Sequence, residues 1–265
     1  MASAKDIVVK PISAKAANEL VKRVHYSGKV VNNSTLHLGA FLNDKLEGVM
    51  SFGSPLDKRK VLPLVEGTQW NGMLELNRMA FSDLLPRNSE SRAMAVAFKL
   101  IKKHYPHIEW ILSFSDGTQC GDGTIYRASG FVLTQVKKNT QIWESPSGER
   151  YSRTSLTDGR SKRVQAQARA TAGGGDFGGG ASMKHYVGAG WQPLSGFQLR
   201  YIYFLNPEAR NRLTVPILPF SKIDEMGAGM YKGKPKRLTE ANTDAQSVSG
   251  GATPTKALQS EEGLL

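Results

Sequence analysis

The order of elements between Leu74 and Phe131 constrains the fold more than any other stretch of the chain. Leu74-Glu75-Leu76-Asn77-Arg78-Met79-Ala80-Phe81 is predicted as a strand, and Pro86-Arg87-Asn88-Ser89-Glu90-Ser91-Arg92 as a polar loop. A helix is expected from roughly Ser91 to His104, with Met94, Ala97, Phe98, Ile101 and Tyr105 recurring on one face as a core stripe. Trp110-Ile111-Leu112-Ser113-Phe114-Ser115-Asp116 then forms a second strand, and a polar loop runs on to Tyr126. Helix N-termini and strand C-termini gather at one mouth of a sheet, where α/β proteins tend to place chemistry. That order would bring Arg78, Ser91, Asp116 and Tyr126 together.

The flanking segments extend this unit. Asp6–Pro11 is expected as a short strand stopped by Pro11. Ser13 can cap a helix whose apolar positions Ala17, Leu20, Val21 and Val24 recur at 3.6-residue spacing, and Gly28 suits its C-terminal stop. Alternation at Leu36, Leu38, Ala40 and Leu42 gives a strand, with Asn43-Asp44-Lys45 turning into another at Leu46–Gly53. Residues 54–71 read as a polar loop. Further strands are expected at Phe131–Val136, Ile142–Glu144 and Gln198–Leu205, with order also returning at Met183–Trp191. The expectation is an α+β domain over residues 5–206, a mixed central sheet flanked by helices. Residues 159–181, rich in Arg, Ala and Gly, should form a flexible basic insertion, and 207–265 an extended, largely disordered tail.

The net charge of +12 favours an acidic partner, nucleic acid first, although a solvated basic surface is the plain alternative. The basic residues crowd into loops: Lys58, Arg59 and Lys60; Lys137 and Lys138; and the run from Arg150 and Arg153 to Arg169. Cys120 is the only cysteine, which excludes an intrachain disulfide and a cysteine-based zinc cluster. No apolar run is long enough to span a bilayer, and Met1–Asp6 lacks the apolar segment of a signal peptide, so a cytoplasmic protein without membrane partners is expected.

Several side chains carry both a plain and a chemical reading. Asp116 closes an apolar strand and either caps the following turn or does chemistry. Arg78 lies among apolar residues, where an unpaired cation is expensive to bury, so it should meet Glu75, Asp116, a phosphate or a substrate carbonyl. Ser91 can simply cap its helix, and Tyr126 can be a core tyrosine. Tyr151-Ser152-Arg153 and His185-Tyr186 interleave aromatic and polar groups that could stack on an extruded base or pack a loop.

The element order resembles the GNAT acyltransferase fold. His25-Tyr26-Ser27-Gly28, Leu76-Asn77-Arg78, Ser91, Ser113-Phe114-Ser115-Asp116 and Gly123-Thr124-Ile125-Tyr126-Arg127-Ala128 resemble the Mom family, as does Pro193–Tyr201. That resemblance implies a transferase acting on double-stranded DNA, converting adenine to N6-carbamoylmethyladenine and shielding phage DNA from restriction in the host cytoplasm. It assigns Asp116 as general base and Tyr126 as general acid or orienter. Arg78 becomes an electrostatic clamp, with Ser91 and Tyr26 as further catalytic residues. It also implies iron, with His25 and Asp116 as ligands. In GNAT enzymes a glycine-rich loop holds the pyrophosphate of acyl-CoA. The matching residues here run from Arg87 to Arg92 without a glycine, so Arg87, Ser89 and Arg92 become the candidate cofactor contacts. Acetyl-CoA is disfavoured and the donor stays unnamed, as does the oligomeric state. An ordinary GNAT acetyltransferase and a non-catalytic DNA-binding module are the competing readings.

Overall fold

The computed structural model describes residues 2–157, 166, 182–231, 234 and 235. The insertion expected at 159–181, Ala166 apart, and the chain from 236 onward lie outside the described residues.

Seven strands form the central sheet in the order β1-β2-β3-β4-β5-β10-β6. They are β1 (Val8–Pro11), β2 (Ser34–Leu42), β3 (Lys45–Gly53), β4 (Met73–Phe81), β5 (Trp110–Asp116), β6 (Val132–Asn139) and β10 (Gly196–Phe204). All neighbours are antiparallel except β4 and β5, which run parallel, so the expected mixed sheet is present. The β2–β3 hairpin turns on Asn43 and Asp44, both with positive φ (49° and 59°), the conformation that matches the twist of tight hairpins.

Two helices cover the sheet. α1 (Ala14–Val24) starts where the Ser13 hydroxyl accepts from the Ala16 amide, and it buries Ala17, Leu20 and Val21 against Val49 and Ala80. The helix Ser89–His104, α3 after the single turn α2 (Lys58–Val61), buries Met94, Ala97, Phe98 and Ile101 with Met50, Phe52, Leu76 and Ile111. Val49 and Met50 are successive strand residues and point to opposite faces, so α1 and α3 lie on opposite sides of the sheet. Each fully buried aliphatic or aromatic side chain in these layers contributes about 1.5–3 kcal/mol.

Three expectations need correction. Residues 54–71 are not simply a polar loop, because Leu64 and Val65 pack with Trp110, Leu112 and Ile202 in a second core. The ordered chain does not end at 206. A 3-10 segment at Pro207–Arg212 buries Ala209 in that second core, and a later helix at Ser221–Glu225 buries Ile223. Proline and glycine stop regular elements there, yet enough apolar side chains remain to dock the segment. The third concerns the aromatics. Tyr151, Tyr186 and Trp191 are at most 8% exposed and form the core of a small three-stranded sheet, β8-β7-β9 (Arg150–Ser152, Ile142–Glu144, Gln192–Pro193). Rings packed 5.4–5.7 Å apart inside that core are not free to stack on a base. No helix among the described residues is long and apolar enough to cross a membrane.

Candidate active site

The site originates in a parting of strands. β4 pairs with β5 only over Met73–Glu75, opposite Trp110–Leu112. Beyond that, β4 stays with β3 to Phe81, and β5 stays with β10 to Asp116. A bulge widens the gap: Arg78 pairs with Ser51 and Leu76 with Phe52, leaving Asn77 as the extra residue. The resulting cleft of about 470 Å³ has Leu76–Phe81 on one wall and Phe114–Asp116 on the other. His25 and Tyr26 from the end of α1, Glu90 from the start of α3, and Met230 and Tyr231 near the C-terminus complete its rim.

Asp116 is the organising group. Its Oδ2 accepts from the Tyr26 hydroxyl at 3.2 Å and the Gln119 amide at 3.1 Å, and its Oδ1 accepts from the Thr118 N–H at 2.9 Å. The same carboxylate therefore caps the turn and stands on the cleft wall. Desolvation and then the Asp116 carboxylate push the Tyr26 phenol up, so it stays protonated at neutral pH.

Arg78 reaches across to α1, where its Nη1 lies 3.3 Å from His25 Nε2. A guanidinium only donates, so Nε2 faces it as an acceptor, while Nδ1 lies 2.8 Å from the Ser27 hydroxyl and accepts from the Ser27 backbone N–H at 3.1 Å. Burial and the neighbouring Arg78 hold His25 down to about 4, leaving it neutral at physiological pH. Arg78 makes no ion pair among the described residues, and its Nε is buried without a hydrogen-bond partner. Of the groups that its sequence context allowed, neither Glu75 nor Asp116 forms a salt bridge with it. A cation held this way is suited to an electron-rich group of a substrate.

Tyr126 comes from α4 (Thr124–Ala128), whose entry needs Gly123. Its φ is +83°, and a Cβ there would stand 2.5 Å from the Tyr201 ring. The Tyr126 ring packs on Phe131 and Tyr201, both at 5.2 Å, while its edge lines the cleft. Burial raises its phenol, and Ser113 offers it a hydrogen bond. Tyr126 is thus a core tyrosine that also lines the cleft.

Sequence reasoning missed Asp122. It is 1% exposed; its carboxylate accepts from Arg127 at 3.0 Å, the Thr124 hydroxyl at 2.8 Å and the Met230 N–H at 3.4 Å, while its own N–H donates to the Met230 carbonyl. An Asp-Gly pair just ahead of a short apolar run was the available signal.

Other expected residues lie elsewhere. Ser91 does not line the cleft; its hydroxyl donates to the Asn88 carbonyl at 3.1 Å, and Glu90 takes the position facing inward. Ser89 is fully buried and its hydroxyl donates to the Pro86 carbonyl, while Arg87 and Arg92 are exposed and outside the cleft. The anion-binding trio is therefore not assembled, because α3 begins two residues earlier than the periodicity indicated. The iron reading fares no better. Both nitrogens of His25 are engaged, one by a guanidinium that would repel a metal ion. Among the described residues no group of three His, Cys, Asp or Glu converges. The residues present do not fit a metal centre.

The basic candidates separate. Lys137 pairs with Gln198, which pairs with Asp116, so Lys137 stands in the same row two strands away, about 10 Å at the usual strand spacing. Lys138 follows it, also exposed. Arg150 belongs to the small sheet that follows β6 and is tied to Glu144 at 2.7 Å, and Arg153 begins the short helix Arg153–Thr157 just after it. Lys58, Arg59 and Lys60 follow β3, whose last residue Gly53 pairs with Glu75, and so lie toward the other end of the sheet. Lys60 is paired with Asp57 at 2.6 Å, and the Lys58 ammonium stands 4.9 Å from the Trp70 ring centre.

Comparison with known proteins adds a lineage to this geometry. Residues 6–222 match the model of the Mom protein family. The methylcarbamoylase Mom of Escherichia phage Mu is 36% identical over 217 residues, covering 80% of this chain and 81% of that protein. Among solved structures, the ribosomal-protein-S18-alanine N-acetyltransferase of Escherichia coli superposes with a TM-score of 0.40 at 8% identity, over 76% of this chain and 94% of that one. FeeM, an N-acyl amino acid synthase from uncultured soil microbes, gives 0.42 at 13% identity, over 78% and 95%.

Proposed function

This chain belongs to the Mom protein family, and from that premise we propose that it is a transferase that places a carbamoylmethyl group on the N6 amine of adenine in phage DNA. The modified base would shield that DNA from restriction enzymes in the host cytoplasm. The observation that carries the reading is the cleft at the parting of β4 and β5, where Arg78, Tyr26, Asp116 and Tyr126 converge.

The N6 lone pair is delocalised into the purine ring, and in a duplex the amine is stacked and paired. The base must therefore be turned out of the helix, at a cost of a few kcal/mol, into a pocket that holds it. A cleft of about 470 Å³ falls within the range of small-molecule sites. As the bond from N6 to the donor carbon forms, an N6 proton must leave. Asp116 is the carboxylate at the rim able to take it, with Tyr26 fixed against the same oxygen pair. The bond from the donor carbon to its leaving group breaks as the N6 bond forms, and Arg78 faces the negative charge that develops on that departing group. The product carries a methylene on N6 and a terminal amide, so plain acyl transfer, which gives an amide on N6, does not produce it. Glu90 on the cleft wall, in place of the glycines of a phosphate-binding loop, opposes a pyrophosphate at that position. Lys137 shares the Asp116 row and Lys138 follows it, which supports a role for this pair in meeting the phosphates of double-stranded DNA.

Mass spectrometry of nucleosides from plasmid DNA after expression of the full chain tests the reading. A deoxyadenosine carrying the carbamoylmethyl mass is the expected result. Unaltered deoxyadenosine in cells containing folded protein would overturn it.

A further inference from the structure

The rim of the cleft ends in a segment beyond residue 222, where the family match stops. The chain is pinned on its way there. Ile223 and Ala228 are buried, and the Ala228 N–H donates to the Ile223 carbonyl at 2.8 Å. Met230 is buried too: its N–H donates to the Asp122 carboxylate at 3.4 Å, and its carbonyl accepts from the Asp122 N–H at 3.1 Å. Met230 and Tyr231 form β11, paired antiparallel with β12 (Lys234–Pro235). Side chains alternate along a strand, so Met230 turns inward and Tyr231 outward. Tyr231 is 58% exposed and lines the cleft. Its register partner is Lys234, also exposed, and directly opposed residues of an antiparallel pair project from the same face. An aromatic and a basic residue thus share one face of a hairpin at the cleft mouth, held there by a buried carboxylate.

The other rings that line the cleft are committed. Tyr126 packs on Phe131 and Tyr201, and Phe81 and Phe114 pack against the two cores. Tyr26 holds Asp116 with its hydroxyl and lies 4.3 Å from the His25 ring. Tyr231 is the most exposed of these rings. We propose that the β11–β12 hairpin receives the extruded nucleotide, with the Tyr231 ring stacked on the adenine and the Lys234 ammonium on its phosphate. A ring beside a cation is the arrangement that holds an unpaired nucleotide. Stacking uses the face of the base and leaves its edge open, so N6 stays available to Asp116. It also offsets part of the cost of turning the base out of the duplex. The proposal rests on the reading of the cleft as the reacting site, and names the residues that hold the base there.

The test measures modified deoxyadenosine in plasmid DNA, per amount of soluble full-length protein, for the wild type, Tyr231→Phe, Tyr231→Leu and Tyr231→Ala, with thermal melts confirming each fold. Tyr231→Phe keeps the ring and should keep the wild-type level. Tyr231→Leu and Tyr231→Ala should fall about five- to a hundredfold. In parallel, the purified chain is irradiated with duplex DNA carrying 8-azidoadenine in place of part of its adenine. Mass spectrometry should find the wild-type attachment on the peptide that holds Tyr231. Lys234→Ala should flatten the salt dependence of DNA binding by about one unit of log–log slope. A folded Tyr231→Ala protein at the wild-type level overturns the proposal, as does Tyr231→Phe falling as far as Tyr231→Ala, or attachment only at other peptides. An unchanged slope in Lys234→Ala overturns the phosphate contact. If the wild type itself modifies no adenine, the functional reading fails and the proposal falls with it; if it does, these outcomes bear on the hairpin alone.

Discussion

Asp116 caps its turn and also holds a residue from a distant part of the chain. An Asp ahead of Gly-Thr-Gln is an ordinary turn former, and its bond to the Thr118 amide fulfils that role. Its other oxygen gathers Tyr26 from 90 residues earlier in the chain, a relation that no local pattern encodes. Asp116→Asn keeps the turn and loses the acceptor, so adenine modification should drop by at least about 10²-fold. The melting temperature should change little, because Tyr26 is 49% exposed; nucleoside mass spectrometry and thermal melts check the two halves. His25 makes a separate prediction. Its folded value lies near 4, below the ordinary 6.5, so the unfolded chain takes up the proton first on acidification. Its contribution to stability is complete above pH 6.5 and is lost as pH falls toward 4. Denaturant melts of the wild type and His25→Gln should converge at the acid end of that window. A constant gap between them would rule the linkage out. The Arg78–His25 contact was not legible in sequence either, since it depends on a bulge at Asn77 that turns the arginine toward α1.

Among the elements, the long periodic segments were readable, and so were the short strands β1 and β7, whereas the short helix α4 was not. The α1 and α3 stripes and the strand pair around them announce their faces through apolar spacing. α4 spans five residues and is held by a buried carboxylate more than by a hydrophobic face, so periodicity could not reveal it. Replacing Asp122 by Ala strands Arg127 and removes the acceptor for the Met230 amide. A loss of about 3–5 kcal/mol is expected, the usual cost of breaking a buried pair from one side, measured by urea denaturation. The same junction sets where the chain can be cut. A chain ending after Tyr231 should melt cooperatively near the full-length temperature. One ending after Ala228 loses the Met230 bonds to Asp122 and should melt lower. Equal melting of the two would show that the Met230 junction contributes nothing.

For the whole molecule, charge composition indicated a polyanionic partner but not which face would meet it. The strand register sets Lys137 in the Asp116 row and Lys58–Lys60 toward the other end of the sheet. Alanine at both Lys137 and Lys138 should weaken DNA binding for all sequences alike and flatten its salt dependence by about one to two units of log–log slope. The Lys58/Arg59/Lys60 triple alanine variant should change the rate of modification less than the Lys137/Lys138 pair. An unaltered slope in the pair would make these lysines a solvated face. The rim supplied by Met230 and Tyr231 has one more consequence. These residues are made after every other wall of the cleft, so during synthesis on the ribosome the site stays open until its last wall emerges. A nascent chain interrupted earlier would carry Arg78 and Asp116 yet no closed cleft. Synthesis past Tyr231 thus becomes the step that supplies the last part of the rim.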